Sequence, residues 1–289
     1  MKSKRLLLGI AAVMTAAAIL CGVSVYRSAT VLTTVQYELE TELTEPIRIV
    51  QLTDLHGKVF REGNEELIRM VVEAEPDMIM MTGDMLDRSD ENADVVCDLI
   101  CALTGIAPVY YSYGNHEYQW MIAHGESLTP ELEAAGAIVL DVAYMDLTFK
   151  GQDLRIGGYH SYYRQPHMFA ISEEEKRRQL DFCADFEDTD RYQILLSHIP
   201  SAWLDWGYID KFPVDLVLSG HYHGGQIRIP LLGGIYAPEA GLFPDYTEGI
   251  YAGTQATCVL STGLGASPGI PRFNNLPRIT VVDLIPTAS

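Results

Sequence analysis

The sequence predicts an α/β protein built around a largely parallel sheet and preceded by one apolar N-terminal helix. Two observations predict the sheet. Strand-like and helix-like apolar segments alternate over residues 46–117, and each strand-like segment ends in aspartate, histidine or asparagine. Alternating strands and helices favour parallel pairing through right-handed crossovers, and ligands of such sheets bind beyond the carboxyl ends of the strands. We therefore expect the polar strand ends to meet in one functional site.

The N-terminal segment has the length and composition of a membrane-spanning helix. The basic stretch MKSKR precedes residues 6–25, a run of 20 residues without a charge. At 1.5 Å per residue this run spans about 30 Å, the thickness of bilayer hydrocarbon. The basic residues should stay in the cytoplasm, which places the rest of the chain outside. Because no small-x-small cleavage site follows, we interpret residues 1–27 as an uncleaved anchor, residues 28–45 as a stalk and residues 46–286 as the globular domain.

Composition limits the class of partner. The chain has 289 residues, of which 48% are hydrophobic and 20% charged, as in an ordered globular protein. Its formal net charge of −19 would repel the phosphate backbone, so nucleic-acid binding is not expected. The five cysteines contain no CxxC pair, and neither a disulfide framework nor a zinc knuckle is indicated.

Three strands are predicted in the first half of the domain. PIRIVQL leads into Asp54 and His56, PDMIMMTGD ends at Asp84, and PVYYSYG leads into Asn115 and His116. Between them, EELIRMVVEAE and ADVVCDLICAL have apolar residues at helical spacing. This half therefore predicts a strand–helix–strand–helix–strand unit with its polar residues at one edge.

Two predicted strands of the second half also end in candidate ligands. RYQILLSH is an apolar strand ending at His198, and VDLVLSGHYHGG leads into His221 and His223. The glycines around this histidine pair allow a turn that points both imidazoles at one ligand. The intervening segment AIVLDVAYMDLTFKGQDLRIGGYH alternates like antiparallel strands, and TQATCVLSTGLG and PRITVVDLIP predict two further strands.

The residue types at the strand ends are those of a metal centre. Carboxylates, imidazoles and one amide suit divalent ions of intermediate hardness such as manganese, iron or zinc. Seven ligands exceed a tetrahedral site and fit two ions that share one carboxylate. Two ions about 3.5–4 Å apart can stabilise both the attacking and the leaving oxygen of a phosphoryl displacement. Eight candidate residues, of which seven would be ligands, stand at these strand ends: Asp54, His56, Asp84, Asn115, His116, His198, His221 and His223.

Taken in order, DLH, GD, GNH, SH and GHYH resemble the motifs of the calcineurin-like metallophosphoesterases. The segments GHYHGGQIRIP and STGLGASPGIPRFNNLP resemble the membrane-tethered bacterial branch of that family, and the resemblance covers roughly residues 46–285. It implies a four-layer α/β-β/α sandwich of two mixed sheets. It also implies a dinuclear metal-dependent phosphoesterase, anchored in the cell membrane and facing outward.

The resemblance also implies a role for each matching residue. The first ion would be held by Asp54, His56 and His223. The second would be held by Asn115, His198 and His221. Asp84 would bridge both ions. His116 would stabilise the phosphoryl charge and protonate the leaving oxygen, while a metal-bound hydroxide attacks in line.

Further polar residues lie beside these motifs. Glu117 stands where many relatives carry aspartate, and its extra methylene changes the reach of any hydrogen bond to the preceding histidine. His160, in GGYH, is expected in the core or at the rim of the site. Asp87 could orient the site, but a place in a solvated loop is expected, and His124 and His167 are expected at the surface.

Two alternatives remain open. A pyrophosphatase acting on a nucleotide-linked lipid or envelope precursor would need an apolar groove beside the metals, and an active site near the bilayer would favour it. A metal-binding envelope protein without turnover would keep the ligands alone. The residues that select the substrate are expected in three loops, at residues 60–64, 120–128 and 159–169.

The topology can be tested directly. Protease added to intact spheroplasts is expected to digest residues 46–286, because the basic residues before the apolar run should hold the N-terminus inside. Immunoblotting against the C-terminal region measures the loss. Complete protection in intact spheroplasts, with digestion only after lysis, would reverse the orientation.

Overall fold

The apolar N-terminal segment forms one helix, α1 (Lys2–Thr30), in the computed structural model, which describes residues 2–162, 172–266 and 269–287. Residues 4–30 of this helix are long and apolar enough to cross a membrane, and their apolar window is not buried against the protein. A signal sequence near the N-terminus would have the same length and composition. The single-pass topology and the outward orientation therefore stay predictions.

Helices and strands alternate along much of the remaining chain. The strands are β1 (Thr33–Thr41), β2 (Ile47–Leu52), β3 (Met78–Met81), β4 (Val109–Tyr111), β5 (Ile138–Val139), β6 (Ala143–Phe149), β7 (Gln152–Gly158), β8 (Tyr192–Leu196), β9 (Val214–Ser219), β10 (Arg228–Ile229), β11 (Gly233–Gly234), β12 (Tyr236–Ala237), β13 (Gly241–Leu242), β14 (Gly249–Ala252), β15 (Ala256–Leu260) and β16 (Arg278–Pro286). The helices after α1 are α2 (Glu65–Ala74), α3 (Asp94–Thr104), α4 (Asn115–His124), α5 (Thr129–Ala134), α6 (Glu173–Glu187) and α7 (Ser201–Leu204).

Most strands belong to two six-stranded mixed sheets. The first has the order β1-β16-β2-β3-β4-β5, and β2 to β5 run parallel, as the alternation of strands and helices predicts. The second has the order β14-β15-β9-β8-β7-β6, and its four inner strands run parallel. The antiparallel pairing predicted for the segment between the halves is confirmed for β6 and β7, which form a hairpin, but not for β5, which pairs parallel with β4.

Side chains alternate along the strands between separate apolar clusters, which define the layers. Ile49 of β2 shares a cluster with Ile156 of β7, so the two sheets pack face to face. Its neighbour Val50 shares another cluster with Leu67 of α2, on the outer face of the first sheet. Phe186 of α6 covers the outer face of the second sheet. The four-layer α/β-β/α sandwich is thereby confirmed.

Residues 28–45 do not form the expected stalk, because half of them belong to β1. This strand runs parallel to β16 along its nine residues. In TTVQYELET, half-buried residues alternate with exposed ones, which is the pattern of a strand with one covered face. Only Val31 and Leu32 separate α1 from β1. The folded domain therefore begins before residue 46 and follows α1 almost directly.

The three loops expected to select the substrate differ in structure. Residues 62–64 form a short 3-10 turn, and residues 120–124 are the last turn of α4. Residues 163–169 of the third loop lie outside the described residues, and so does His167. The surface position expected for that histidine stays a prediction.

Candidate metal centre

The seven candidate ligands meet at one edge of the sandwich, where the carboxyl ends of strands from both sheets open. Those after β2, β3 and β4 come from the first sheet, and those after β8 and β9 come from the second. Asp54 and His198 are fully buried, and Asp84, His221 and His223 are nearly so. Buried charges in proteins are paired or coordinate metals, so this cluster needs compensating partners.

Three of these residues form a first group of potential ligands. Nitrogen or oxygen atoms of Asp54, His56 and His223 lie within 4.8 Å of one another. Nε2 of His223 is 3.6 Å from Oδ1 of Asp54, and the rings of the two histidines are 5.1 Å apart. This is the set that the sequence motifs assign to the first ion.

A second group contains Asp84, His198 and His221, whose ligand atoms also lie within 4.8 Å of one another. The Oδ2 atom of Asp84 is 3.1 Å from Nε2 of His198 and 3.9 Å from Nε2 of His56. This carboxylate therefore lies between the two groups, as a bridging ligand must.

Several buried atoms in this cluster have no hydrogen-bond partner among the described residues. They are Nδ1 and Nε2 of His56, Oδ1 of Asn115, Nε2 of His198, Nε2 of His221 and Nδ1 of His223. A buried polar atom without a partner costs about 1–3 kcal/mol. The donor set of imidazole, carboxylate and amide matches divalent manganese, iron or zinc. The residues present therefore fit a metal centre.

Electrostatics point the same way. Burial alone would lower the pKa of His198, but Asp84 and Asp54 outweigh it and raise the pKa to about 10. The centre thus favours a positive charge between its carboxylates, which a divalent cation supplies without a proton. Burial and the neighbouring His198 lower the pKa of His221 to about 3, so this imidazole is neutral, as metal ligation requires.

The backbone at the centre is held in an uncommon conformation. Positive φ angles occur at Asp54 (54°), His56 (50°), Asp84 (51°), His221 (69°) and His223 (47°). Such angles cost about 1–3 kcal/mol at residues other than glycine and persist where surrounding contacts impose them. The concentration of five in one cluster indicates loops shaped for ligand placement.

The loops after β2 and β3 are fixed to each other through their backbones. The amide of Asp54 donates to the carbonyl of Gly83 at 3.0 Å, and the amide of His56 donates to the carbonyl of Asp84 at 3.0 Å. Gly83 has φ 89°, and a Cβ there would overlap the backbone of Gly114. The glycines of the GD and GNH motifs therefore let the loops after β3 and β4 approach within van der Waals distance.

The carboxylate of Glu117 forms hydrogen bonds with the loop that carries Asp84, and not with the ring of His116. Its fully buried carboxylate accepts hydrogen bonds of 2.8 Å from the amides of Asp84, Met85 and Gly114 and one of 2.7 Å from the hydroxyl of Tyr111. The sequence suggested a role for Glu117 only in a hydrogen bond to the preceding histidine. In the structure the longer side chain instead positions the backbone that carries the Asp84 carboxylate.

Asp87 is not in the solvated loop expected from the sequence. It is only 8% exposed, and its Oδ2 lies 3.5 Å from Nδ1 of His56 and 3.3 Å from Nδ1 of His116. The nearby His56 ring holds the pKa of Asp87 below its usual range. The carboxylate reaches the site because the turn after β3 folds back against α4, a contact that sequence spacing does not reveal.

His116 lies in the first turn of α4, at the wall of an open cavity of about 260 Å³. Its backbone amide donates to Oδ1 of Asp84 at 2.8 Å, and its Nδ1 accepts from the amide of Arg88 at 3.2 Å. Its Nε2 is 4.0 Å from Oδ2 of Asp84. The ring therefore lies beside the ligand groups and borders the space that a substrate would enter.

His160 and His124 lie as expected, and one acidic residue was missed. The ring of His160 packs against Tyr118, and burial lowers its pKa to about 4, which fits a place at the rim of the site. His124 is exposed and stacks on Trp120. Oε1 of Glu239, near the tip of the β12–β13 hairpin, lies 3.9 Å from Nε2 of His221. No motif surrounds Glu239, so the sequence gave no signal for it.

Comparisons with known proteins agree with this geometry. The sequence profile described as calcineurin-like phosphoesterase matches residues 47–225. The metallophosphoesterase YkuE of Bacillus subtilis (strain 168) is 30% identical over 243 residues, which cover 82% of this chain and 78% of that protein. The phosphodiesterase YaeI of Escherichia coli (strain K12) is 27% identical over 244 residues, which cover 83% of each protein. A solved dimetal phosphatase from Danio rerio aligns over 76% of this chain and 88% of its own, with 12% identity and a TM-score of 0.44.

The bridging position of Asp84 predicts a joint effect on both metals. Asp84→Asn removes the charge that both groups share, so we expect the protein to lose affinity for two ions at once rather than for one. Metal content and manganese titration measure the effect, and Asp98→Asn, at an exposed position on α3, is the control. Retention of two ions at wild-type affinity would contradict the bridging role.

Glu117 is expected to support both stability and metal binding. Glu117→Gln keeps the shape of the side chain but places its NH₂ group opposite backbone N–H donors. Each backbone N–H that loses its acceptor costs about 1–3 kcal/mol of stability. We expect a lower urea midpoint and weaker manganese binding than in Glu133→Gln, an exposed control on α5. Equal urea midpoints and equal manganese affinities in the two variants would rule out this positioning role.

Proposed function

Because the chain belongs to the calcineurin-like phosphoesterases, a family of metal-dependent phosphohydrolases, we propose that it hydrolyses phosphate esters at the edge where its two sheets meet. One observation carries the proposal. Oδ2 of Asp84 lies 3.1 Å from a histidine of the second sheet and 3.9 Å from one of the first. A carboxylate so placed can serve two ions at once.

Each group of side chains would hold one ion. The first ion would be held by Asp54, His56 and His223. The second would be held by Asn115, His198 and His221, with Asp84 shared. When bound, two divalent ions of manganese, iron or zinc supply Lewis-acid stabilisation of the phosphoryl oxygens and of the attacking and leaving oxygens. The ordered carbonyl of Thr82, 2.8 Å from Nδ1 of His198, directs the other nitrogen of that ring to the centre.

His116 is proposed as the residue that protonates the leaving oxygen. Its Nε2, 4.0 Å from Oδ2 of Asp84, is the ring nitrogen nearer the centre, and its Nδ1 lies 3.3 Å from the Asp87 carboxylate. A ring with a proton on both nitrogens would give the Nε2 proton to the leaving oxygen and become neutral, with the remaining proton on Nδ1 beside Asp87.

The cellular arrangement follows from α1. We propose that this helix spans the bacterial membrane, with MKSKR inside and the catalytic domain outside.

A metal-binding envelope protein without turnover is disfavoured, because the chain's relatives are phosphohydrolases.

Replacement of His116 separates catalysis from metal binding. His116→Ala is expected to keep both ions and the melting temperature, while kcat on alkyl phosphates falls by about 10²–10⁴-fold. Aryl phosphates such as p-nitrophenyl phosphate should lose less, because their leaving groups need little protonation. Rates on both ester types in manganese are compared with those of His124→Ala, an exposed histidine on the same helix.

The outcomes discriminate between roles. Loss of metal in His116→Ala would make this residue a ligand. An equal loss on both ester types would leave only stabilisation of charge. Unchanged rates on both would remove His116 from the reaction.

A further inference from the structure

A short, irregular segment beside the metal centre exposes large apolar side chains. Residues 228–243, here called the apolar ribbon, fold into the hairpins β10–β11 and β12–β13. The amide of Phe243 donates to the carbonyl of Ile235 at 2.8 Å, which holds the two hairpins together. Five large apolar residues of the ribbon are exposed: Ile229, Leu231, Leu232, Leu242 and Phe243. Several large apolar side chains exposed within one short segment indicate an interaction site.

The start of the apolar ribbon is connected to the end of α1 through two residues, Phe273 and Asn274. Arg228 donates its amide to the carbonyl of Phe273 at 2.9 Å. The next residue, Asn274, donates its amide to Oγ of Ser24 in α1 at 2.9 Å. Ser24 stands near the end of the uncharged run of residues 6–25. If α1 crosses the bilayer, Ser24 lies near the outer limit of the hydrocarbon, and the ribbon meets the bilayer at that depth.

The composition of the apolar ribbon fits a lipid surface. Between Arg228 and Glu239 the sequence IPLLGGIYAP contains no charge. Arg228 pairs with Glu248 at 2.7 Å, and Oε1 of Glu239, whose side chain is 44% exposed, lies 3.9 Å from Nε2 of His221. The ribbon therefore presents its apolar residues outward, against a protein surface that is otherwise acidic. A second protein chain would have to cover this patch where it adjoins the lipid-exposed face of α1, which favours lipid as the occupant.

The same elements connect the bilayer side to the metal centre. Tyr236 and Pro238 of the ribbon line the cavity beside His116. Asn275 bridges the two regions, since its amide donates to Oγ of the buried Ser28 at 3.1 Å and its Nδ2 donates to the carbonyl of His223 at 2.6 Å. One residue thus separates the end of α1 from the loop that carries a candidate ligand.

We propose that the apolar ribbon inserts into the outer surface of the bilayer beside α1, and that the metal centre hydrolyses a phosphate ester carried by a lipid. The contacts described above support the insertion of the ribbon. The lipid substrate rests on the proposed phosphoesterase function. The short link between α1 and β1 would hold the cavity close to the membrane. Lipid headgroups would lie within reach of the cavity there, whereas a dilute soluble ester would not be concentrated near it.

Photo-crosslinking tests the surface independently of activity. The full chain is placed in phosphatidylcholine nanodiscs that contain a lipid with a diazirine in its acyl chain, and crosslinked peptides are mapped by mass spectrometry. We expect crosslinks in α1 and in the apolar ribbon, but not around Val72 or Leu180, which are exposed apolar residues elsewhere. Crosslinks in α1 with none in the ribbon would overturn the proposal, including the case in which a second copy covers it.

Paired variants test the substrate. Leu231→Asp/Leu232→Asp is expected to lose the ribbon crosslinks and at least tenfold in the rate on phosphatidic acid or phosphatidylglycerol in the nanodisc, because charge is disfavoured in the apolar layer. Its rate on soluble p-nitrophenyl phosphate and bis(p-nitrophenyl) phosphate should stay within about twofold of wild type. Val72→Asp/Leu180→Asp is the matched control, and melting temperatures verify folding.

The results separate this inference from the proposed function. If wild type hydrolyses the soluble esters with manganese but neither lipid, the lipid substrate is wrong and the phosphoesterase function stands. If wild type hydrolyses neither kind of ester, the proposed function fails, and the crosslinks alone decide the surface. An equal loss on lipid and soluble esters in the ribbon variant would overturn the link between the ribbon and substrate access.

Discussion

The carboxylate of Asp84 joins the two sheets at the functional edge of the protein. It follows a strand of the first sheet, yet its Oδ2 lies 3.1 Å from His198, which follows a strand of the second. Burial alone would raise the pKa of Asp84, but His198 and the neighbouring histidines hold it well below the usual range. The negative charge of this one group therefore organises both ligand sets, and a change there reaches the whole centre.

The surroundings of Asp84 explain how such a charge is kept in place. Glu117 accepts the amides of Asp84 and Met85, and the amide of His116 donates to Oδ1 of Asp84. These bonds impose a positive φ that an aspartate avoids by itself. The strain at the candidate ligands is thus offset by hydrogen bonds from neighbouring residues. Such preorganisation keeps the ligands in position without a reorganisation cost when ions and substrate arrive.

The attachment of α1 gives this site a fixed direction. A flexible stalk would let the domain rotate freely, but only two residues separate α1 from β1, which is paired along its length with β16. Two serine hydroxyls near the end of α1 also accept amides of Asn274 and Asn275. The orientation of the metal centre relative to α1 is therefore set by the fold.

The sequence by itself determined the class of fold and the seven candidate ligands. Each of these candidate ligands closely follows a short apolar strand. Both the strand pattern and the polar residue after the strand are local signals. Tertiary structure decided the rest. Asp87 and Glu117 act on residues from other strands, and Glu239 reaches His221 from a hairpin without a motif. β1 pairs with a strand nearly 250 residues away in sequence, as Gln36 and Asp283 illustrate with a separation of 247. Local periodicity cannot encode such contacts, because they depend on which distant segments the packed sheets bring together.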